Sequence, residues 1–150
     1  HSYDKYHFVF SKIPGTLYGK IKDMPELKTL VELHKEHRQW LKMISFYEED
    51  LTVLKKRLEE VSIKNTDREM HGLVERFQNK LIIQAEQIDV LRHDIADHEV
   101  EIVNDVEANT TATNRRKVED HADMRERVQT FEILFNKLRK DLNAFVAKWM

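Results

Sequence analysis

The chain of 150 residues contains no cysteine, only three glycines and two prolines. Without cysteine it can form neither a disulfide nor a thiolate nucleophile nor a thiolate zinc site. The few glycines form no glycine-rich loop that could bind phosphate, and none of the four serines lies in a nucleophile-elbow motif. The sequence therefore predicts a protein that is not an enzyme.

The chain also lacks a large net charge and a long apolar run. The formal net charge is −2 and the pI is about 6.5, so the chain has no overall attraction to nucleic acid or to an anionic membrane surface. No apolar run approaches the roughly 18 residues of a membrane span. Together with the lack of cysteine and of a signal peptide, this favours a cytoplasmic protein, although the chain begins at His1.

Hydrophobic residues (41%) and charged residues (35%) occur in the balance typical of amphipathic helices. Capping patterns mark the helix starts at Asp23-Met24-Pro25-Glu26 and at Thr66-Asp67-Arg68-Glu69, and a polar run over 109–114 marks another break. We therefore predict helices at about 24–61, 67–108 and 114–148. Short turns between long helices predict an all-α, antiparallel three-helix bundle in one domain, 24–150.

Heptad periodicity supports each of these helices, since apolar residues alternate in steps of three and four. The seams begin at Leu30, Val74 and His121 and run to the end of each helix. Residues 1–23 differ, because their aromatic residues surround a Pro14-Gly15 turn signal. This segment is predicted to be extended or hairpin-like.

Histidines interrupt the predicted seams. Folding the second helix back on the first and third brings five of the eight histidines within about nine residues of the second helix. By heptad position, three of them face the core, His34 lies at a flank and His93 points outward. The three predicted core histidines are His37, His98 and His121.

Two interpretations of this histidine layer remain open. The first is that they are core histidines, hydrogen-bonded to carboxylates or to each other, which set the register of the helices. The second is a zinc or iron site, because neutral imidazole is a common ligand and helical bundles hold such sites in their cores. The candidate metal ligands are His34, His37, His98, His121, Asp94 and Glu101.

Several apolar residues lie off the seams, and one bundle core cannot bury them all. Four of them are predicted to lie around the middle of the bundle and to form a protein interface, most simply that of a homodimer: Phe46, Ile83, Val90 and Ile133. The first functional prediction is therefore a self-associating interaction or scaffold protein without a cofactor, and the alternative is a metal storage or sensor protein.

Seven short segments carry a resemblance to a known family: 44–51 (ISFYEEDL), 57–61 (RLEEV) followed by 64–66 (KNT), 75–80 (ERFQNK), 91–95 (LRHDI) with His98-Glu99, and 145–150 (FVAKWM). Over about residues 35–150 the chain resembles an uncharacterised family of small helical proteins from Bacteroidetes. This resemblance implies a bacterial, cytoplasmic protein and implies no activity. In helix number and length the chain also resembles spectrin-type repeats, a likeness of architecture alone.

Overall fold

The computed structural model describes residues 25–108 and 114–150, and it describes side chains over 30–104 and 120–150. Three helices make up almost all of this part of the chain: α1 (Pro25–Lys64), α2 (Arg68–Ala108) and α3 (Asn114–Trp149). They pack against one another, so the predicted all-α, antiparallel three-helix bundle is confirmed. The predicted extended segment 1–23 lies outside the described residues.

The turn between α1 and α2 is shorter than predicted. Helix α1 continues to Lys64, three residues beyond the predicted end, and α2 begins at Arg68. The prediction of Thr66 as the N-cap of α2 is wrong by one position. The side chain of Asp67 accepts the hydrogen bond from the backbone N–H of Met70, at 3.0 Å. Asp67 is therefore the N-cap of α2, with Met70 three residues later as capping geometry requires.

The side chain of Asn65 fixes this turn. Its Nδ2 donates to the carbonyl oxygen of Val61, at 3.0 Å, and to that of Trp149, at 3.2 Å. Both carbonyls lie near helix C-termini, where backbone oxygens lack partners within the helix. One amide group thus satisfies the ends of α1 and α3 and holds them together.

The helices pass through two compact units, each with segments of all three helices. The first unit contains the described residues 25–43, 91–108 and 114–127, and the second contains 44–90 and 128–150. The core of the second unit consists mainly of large apolar seam residues, including Ile44, Leu54, Leu58, Ile88, Phe135 and Leu142, and it also holds the buried amide of Gln84. The core of the first unit includes Leu30, Ile95 and Ile102 but also contains polar side chains. These polar side chains form the candidate site.

The described helices contain no stretch that is both long enough and apolar enough to span a bilayer.

Candidate metal centre

Three histidines meet in the core of the first unit, one from each helix. His37 lies on α1, His98 on α2 and His121 on α3, and their exposed fractions are 0%, 5% and 1%. Each occupies a seam position, so the heptad pattern that packs the helices also directs the three imidazoles to one point. We call His37, His98 and His121 the histidine cluster.

The rings of the histidine cluster are in mutual contact. The centroid of His37 lies 4.9 Å from that of His98 and 4.9 Å from that of His121, and the other two rings are 5.7 Å apart. One nitrogen from each ring can be chosen so that all three lie within 4.8 Å of one another. Nε2 of His37 lies 3.1 Å from Nδ1 of His121.

A buried carboxylate of α2 bonds to two histidines of α1, one of which belongs to the cluster. Glu99 is 3% exposed, and its two oxygens bond to Nδ1 of His34 and, at 2.5 Å, to Nδ1 of His37. Burial acts to raise the pKa of Glu99, but the hydrogen bonds from the two histidines outweigh it, so that this pKa is lowered. The carboxylate is therefore charged and accepts both hydrogen bonds.

A second carboxylate faces the opposite edge of the cluster. Oε2 of Glu36 lies 3.2 Å from Nε2 of His121, within ion-pair distance although not at a hydrogen-bonding angle. Arg125 donates two hydrogen bonds to Glu36, at 2.7 and 2.8 Å. Chiefly because of Arg125, the pKa of Glu36 is lowered to about 2, so this carboxylate is also charged.

These two carboxylates determine where the imidazole protons lie. A carboxylate can only accept, so Nδ1 of His37 carries the proton that faces Glu99, and the charge of Glu36 favours a proton on Nε2 of His121. In neutral rings, Nε2 of His37 and Nδ1 of His121 are then both lone pairs, and they face each other across 3.1 Å. This contact is made favourable either by the other tautomer of His121, in which Nδ1–H donates to Nε2 of His37, or by a cation between the two nitrogens, an additional proton or a metal ion.

Burial opposes the additional proton. Desolvation lowers the pKa of His121 and outweighs the effect of Glu36. Desolvation, followed by the charges of His37 and His121, lowers the pKa of His98 to about 4. The Nε2 atom of His98 is buried and has no hydrogen-bond partner among the described residues. The lowered pKa values favour neutral imidazoles at His98 and His121, which is the form that binds metals.

Trp40 closes one side of the cluster. Its indole ring stacks on His121 at a centroid distance of 4.8 Å and an interplanar angle of 22°, and it lies 5.5 Å from the ring of His37. Trp40 is itself buried. The apolar indole keeps water from this side, which strengthens the electrostatic interactions within the cluster.

An acidic cleft lies on the side of His98. This cleft has a volume of about 330 Å³ and is lined by His98, Met124 and Arg127 together with five carboxylates: Asp94, Asp97, Glu101, Asp120 and Asp123. Arg127 donates to Asp94 at 2.7 Å, which leaves the carboxylates in clear excess. His98 is the only member of the histidine cluster that lines the cleft in the described part of the chain.

The predicted ligands thus fall into three groups. His37, His98 and His121 come together, whereas His34 lies one residue further away, across Glu99, and is buried rather than at the predicted flank. The other two predicted ligands, Asp94 and Glu101, lie in the acidic cleft. His93 points outward as predicted, and its Nε2 lies 3.3 Å from Asp97.

Sequence reasoning missed Glu99 and Glu36, the two carboxylates that orient the histidines. Both lie beside a seam rather than on it, so a search along the core positions passes over them. Folding α2 back on α1 could have found Glu99, because it places residue 34 opposite residue 96, which lies within one turn of Glu99.

The four predicted interface residues all lie in the second unit and are solvent-exposed, between 46% for Val90 and 69% for Ile133. The exposed fractions of the other two, Phe46 and Ile83, are 63% and 52%. In folded proteins, large apolar side chains of these types are more often buried than exposed.

No protein-family model, curated protein or solved structure matches this chain. The resemblance to the helical family of Bacteroidetes therefore stays a prediction.

Proposed function

We propose that this protein binds a transition-metal ion, zinc or iron, through His37, His98 and His121, and that it stores or senses the metal rather than catalysing a reaction. The observation that carries this proposal is the arrangement of the cluster. Three buried imidazoles converge, and the outer nitrogens of two of them face charged carboxylates. Metal-binding histidines in proteins characteristically donate their other N–H to a carboxylate in this way.

The dimensions of the cluster suit such an ion. Zinc–nitrogen bonds of about 2.0–2.1 Å place the nitrogens of a tetrahedral site about 3.3 Å apart. The pair formed by His37 and His121 is already 3.1 Å apart, and the widest separation of 4.8 Å requires one ring to move inward by about 1.5 Å. Three histidines leave a fourth position for water or a carboxylate, and imidazole ligands suit zinc, iron, copper and nickel rather than magnesium or calcium.

Metal titration of the purified, chelator-treated chain tests this proposal. Cobalt(II) is the first probe, because its visible absorption reports nitrogen ligation and coordination number, and zinc should then displace it. We expect one ion per chain. Replacing a core histidine by leucine in His98→Leu fills the space with an apolar side chain and should abolish tight binding.

The matched control is His93→Leu, which removes an exposed histidine of the same helix. It should bind cobalt as the wild type does. If the wild type takes up no metal, or if both leucine variants bind equally well, the metal-binding function is refuted and the cluster is a structural element of the core.

A second candidate function is self-association through the second unit, supported by the exposure of Phe46, Ile83, Val90 and Ile133. Exposed apolar side chains of this size are typical of protein interfaces when they are contiguous. A homodimer would bury them by presenting the same surface of both copies to each other.

Sedimentation velocity over a hundredfold range of concentration tests the dimer. We expect the wild type to dimerise and the double variant Phe46→Lys, Ile133→Lys to remain monomeric. The control Lys56→Glu, Lys80→Glu changes two exposed lysines of the second unit and should still dimerise. A wild type that is monomeric at the highest concentration contradicts this candidate.

A further inference from the structure

The acidic cleft beside His98 is more than a collection of surface carboxylates. Five carboxylates and a single guanidinium give its described lining a formal charge of −4, and a field of this sign attracts cations from solution. Among the described residues, Arg127 is the only lysine or arginine that lines the cleft, and it donates to Asp94 at 2.7 Å.

The independent observation is His98 itself. It lines the cleft, it is 95% buried, and no other residue in the described part of the chain forms a hydrogen bond with its Nε2. It also contacts His37 and His121, with ring centroids 4.9 and 5.7 Å away. His98 thus connects a negatively charged cleft to the buried imidazole nitrogens of the histidine cluster.

We infer that the acidic cleft is the route by which a hydrated divalent cation reaches the histidine cluster. This inference rests on the proposed metal-binding function. Carboxylates attract the hydrated ion from solution, and His98 then offers the first nitrogen ligand as the ion loses water. Trp40, Glu99 and Glu36 lie against the other two histidines, His37 and His121. Because the cleft is lined by oxygen ligands and the cluster by nitrogen, the ion passes from a weak site to a strong one.

Rapid-mixing kinetics test this route. In a Trp149→Phe background Trp40 is the only tryptophan, and its stacking on His121 makes its fluorescence a reporter of cobalt(II) binding at the cluster. The cleft variant combines Asp97→Asn, Asp120→Asn and Asp123→Asn. We expect its association rate constant to fall about tenfold at low ionic strength, as is usual when electrostatic steering is lost. The dissociation rate constant should change by less than about twofold.

The matched control removes the same charge from exposed carboxylates of the second unit, with Glu75→Gln, Glu86→Gln and Asp89→Asn. Its association rate should stay within about twofold of the wild-type rate. Raising the salt concentration to about 0.5 M should remove the difference between the cleft variant and the wild type, because screening then acts within a few ångströms.

Three results overturn the inference. If the cleft variant and the control slow association equally, only net charge matters and the cleft is not the route. If the cleft variant associates normally, the ion enters elsewhere, although the cluster still binds it. If the wild type binds no cobalt at all, the metal-binding function itself is wrong and the inference fails with it.

Discussion

Glu99 is the residue on which the arrangement of the histidine cluster most depends. It accepts from His34 and His37 at once, and both partners are buried. If one partner of a buried charged group is removed, the remaining partners are left without a hydrogen bond. The loss of folding free energy is then far larger than for an exposed ion pair.

Glu99→Gln should therefore lower the free energy of unfolding by about 3 kcal/mol, since a neutral amide has one acceptor oxygen in place of two. Urea denaturation of the chelator-treated protein at pH 7.5 measures this. Glu126→Gln, an exposed carboxylate of the first unit, serves as the control and should cost less than about 0.5 kcal/mol. Equal stability of the two variants would show that the buried carboxylate contributes little.

The pKa of His98 predicts a pH dependence of stability. Burial and the charges of His37 and His121 lower this pKa to about 4 in the folded protein, against about 6.5 in the unfolded chain. A lowered histidine pKa means that the unfolded state binds the proton more strongly. Its contribution to stability is full above pH 6.5 and is lost as the pH falls toward 4.

Without metal, we expect the wild type to lose about 1 to 2 kcal/mol of unfolding free energy between pH 7.5 and pH 5 through this group. His98→Leu should lose less over the same interval, as measured by urea denaturation at both pH values with chelator present. His93→Leu, which removes an exposed histidine, should keep the wild-type dependence. A parallel decline in the His98 variant would assign the pH dependence to other groups.

At the scale of the elements, the α1–α2 turn shows how a capping pattern can be off by one residue. Thr66-x-x-Glu69 fits the capping-box pattern, but Asp67 also has a backbone N–H three residues later and is the better acceptor in the structure. Asp67→Ala should lower the free energy of unfolding by about 1 kcal/mol, the usual cost of losing a cap.

Thr66→Ala is the matched control for this prediction and should cost less than about 0.5 kcal/mol. Thermal and urea unfolding of both variants at neutral pH provide the comparison. If Thr66→Ala is the more damaging change, the helix begins where the sequence pattern placed it, and the hydrogen bond from Met70 to Asp67 is unimportant.

At the scale of the whole molecule, the fold was predictable because its main signal is repeated many times. Seam residues such as Ile44, Leu54 and Phe135 are buried as the heptads require. One misassigned residue does not change the predicted register of a helix of about forty residues, because the other seam positions still define it. The meeting of His37, His98 and His121 followed from the same periodicity combined with short turns.

Contacts made by single flanking residues were not predictable in this way. Glu99 and Glu36 lie outside the seams, and the reach of their side chains, rather than any repeat, brings them to the histidines. The burial of His34 likewise depends on its bond to Glu99. Each of these contacts requires the distance between two helices at one level, which a one-dimensional pattern does not contain.

The sequence separations within the cluster also have a consequence for folding. His37 is 62 residues from Glu99 and 84 residues from His121, so these contacts close long loops. Long-range contacts of this kind carry a large loop-closure entropy and are made only when all three helices are already packed. A local pair such as Asp67 and Met70 carries no such requirement.

Metal bound at the cluster should therefore act on unfolding rather than on folding. We expect saturating zinc to slow unfolding at least tenfold and to leave the refolding rate unchanged within about twofold, because interactions absent from the transition state alter only the unfolding rate. Stopped-flow refolding and unfolding with zinc or with chelator measure both rates. Faster refolding with zinc would mean that the histidines meet early.

If the protein binds metal as proposed and the cluster forms last, the metal ion would stabilise a finished structure and would not act as a template for its folding. In a nascent or partly folded chain the three helices are not yet packed together, and the histidines would be too far apart to bind one ion. Metal binding would then distinguish the chains that have completed folding. The lifetime of the folded state in the cell would then follow metal supply, while the yield of folding would not.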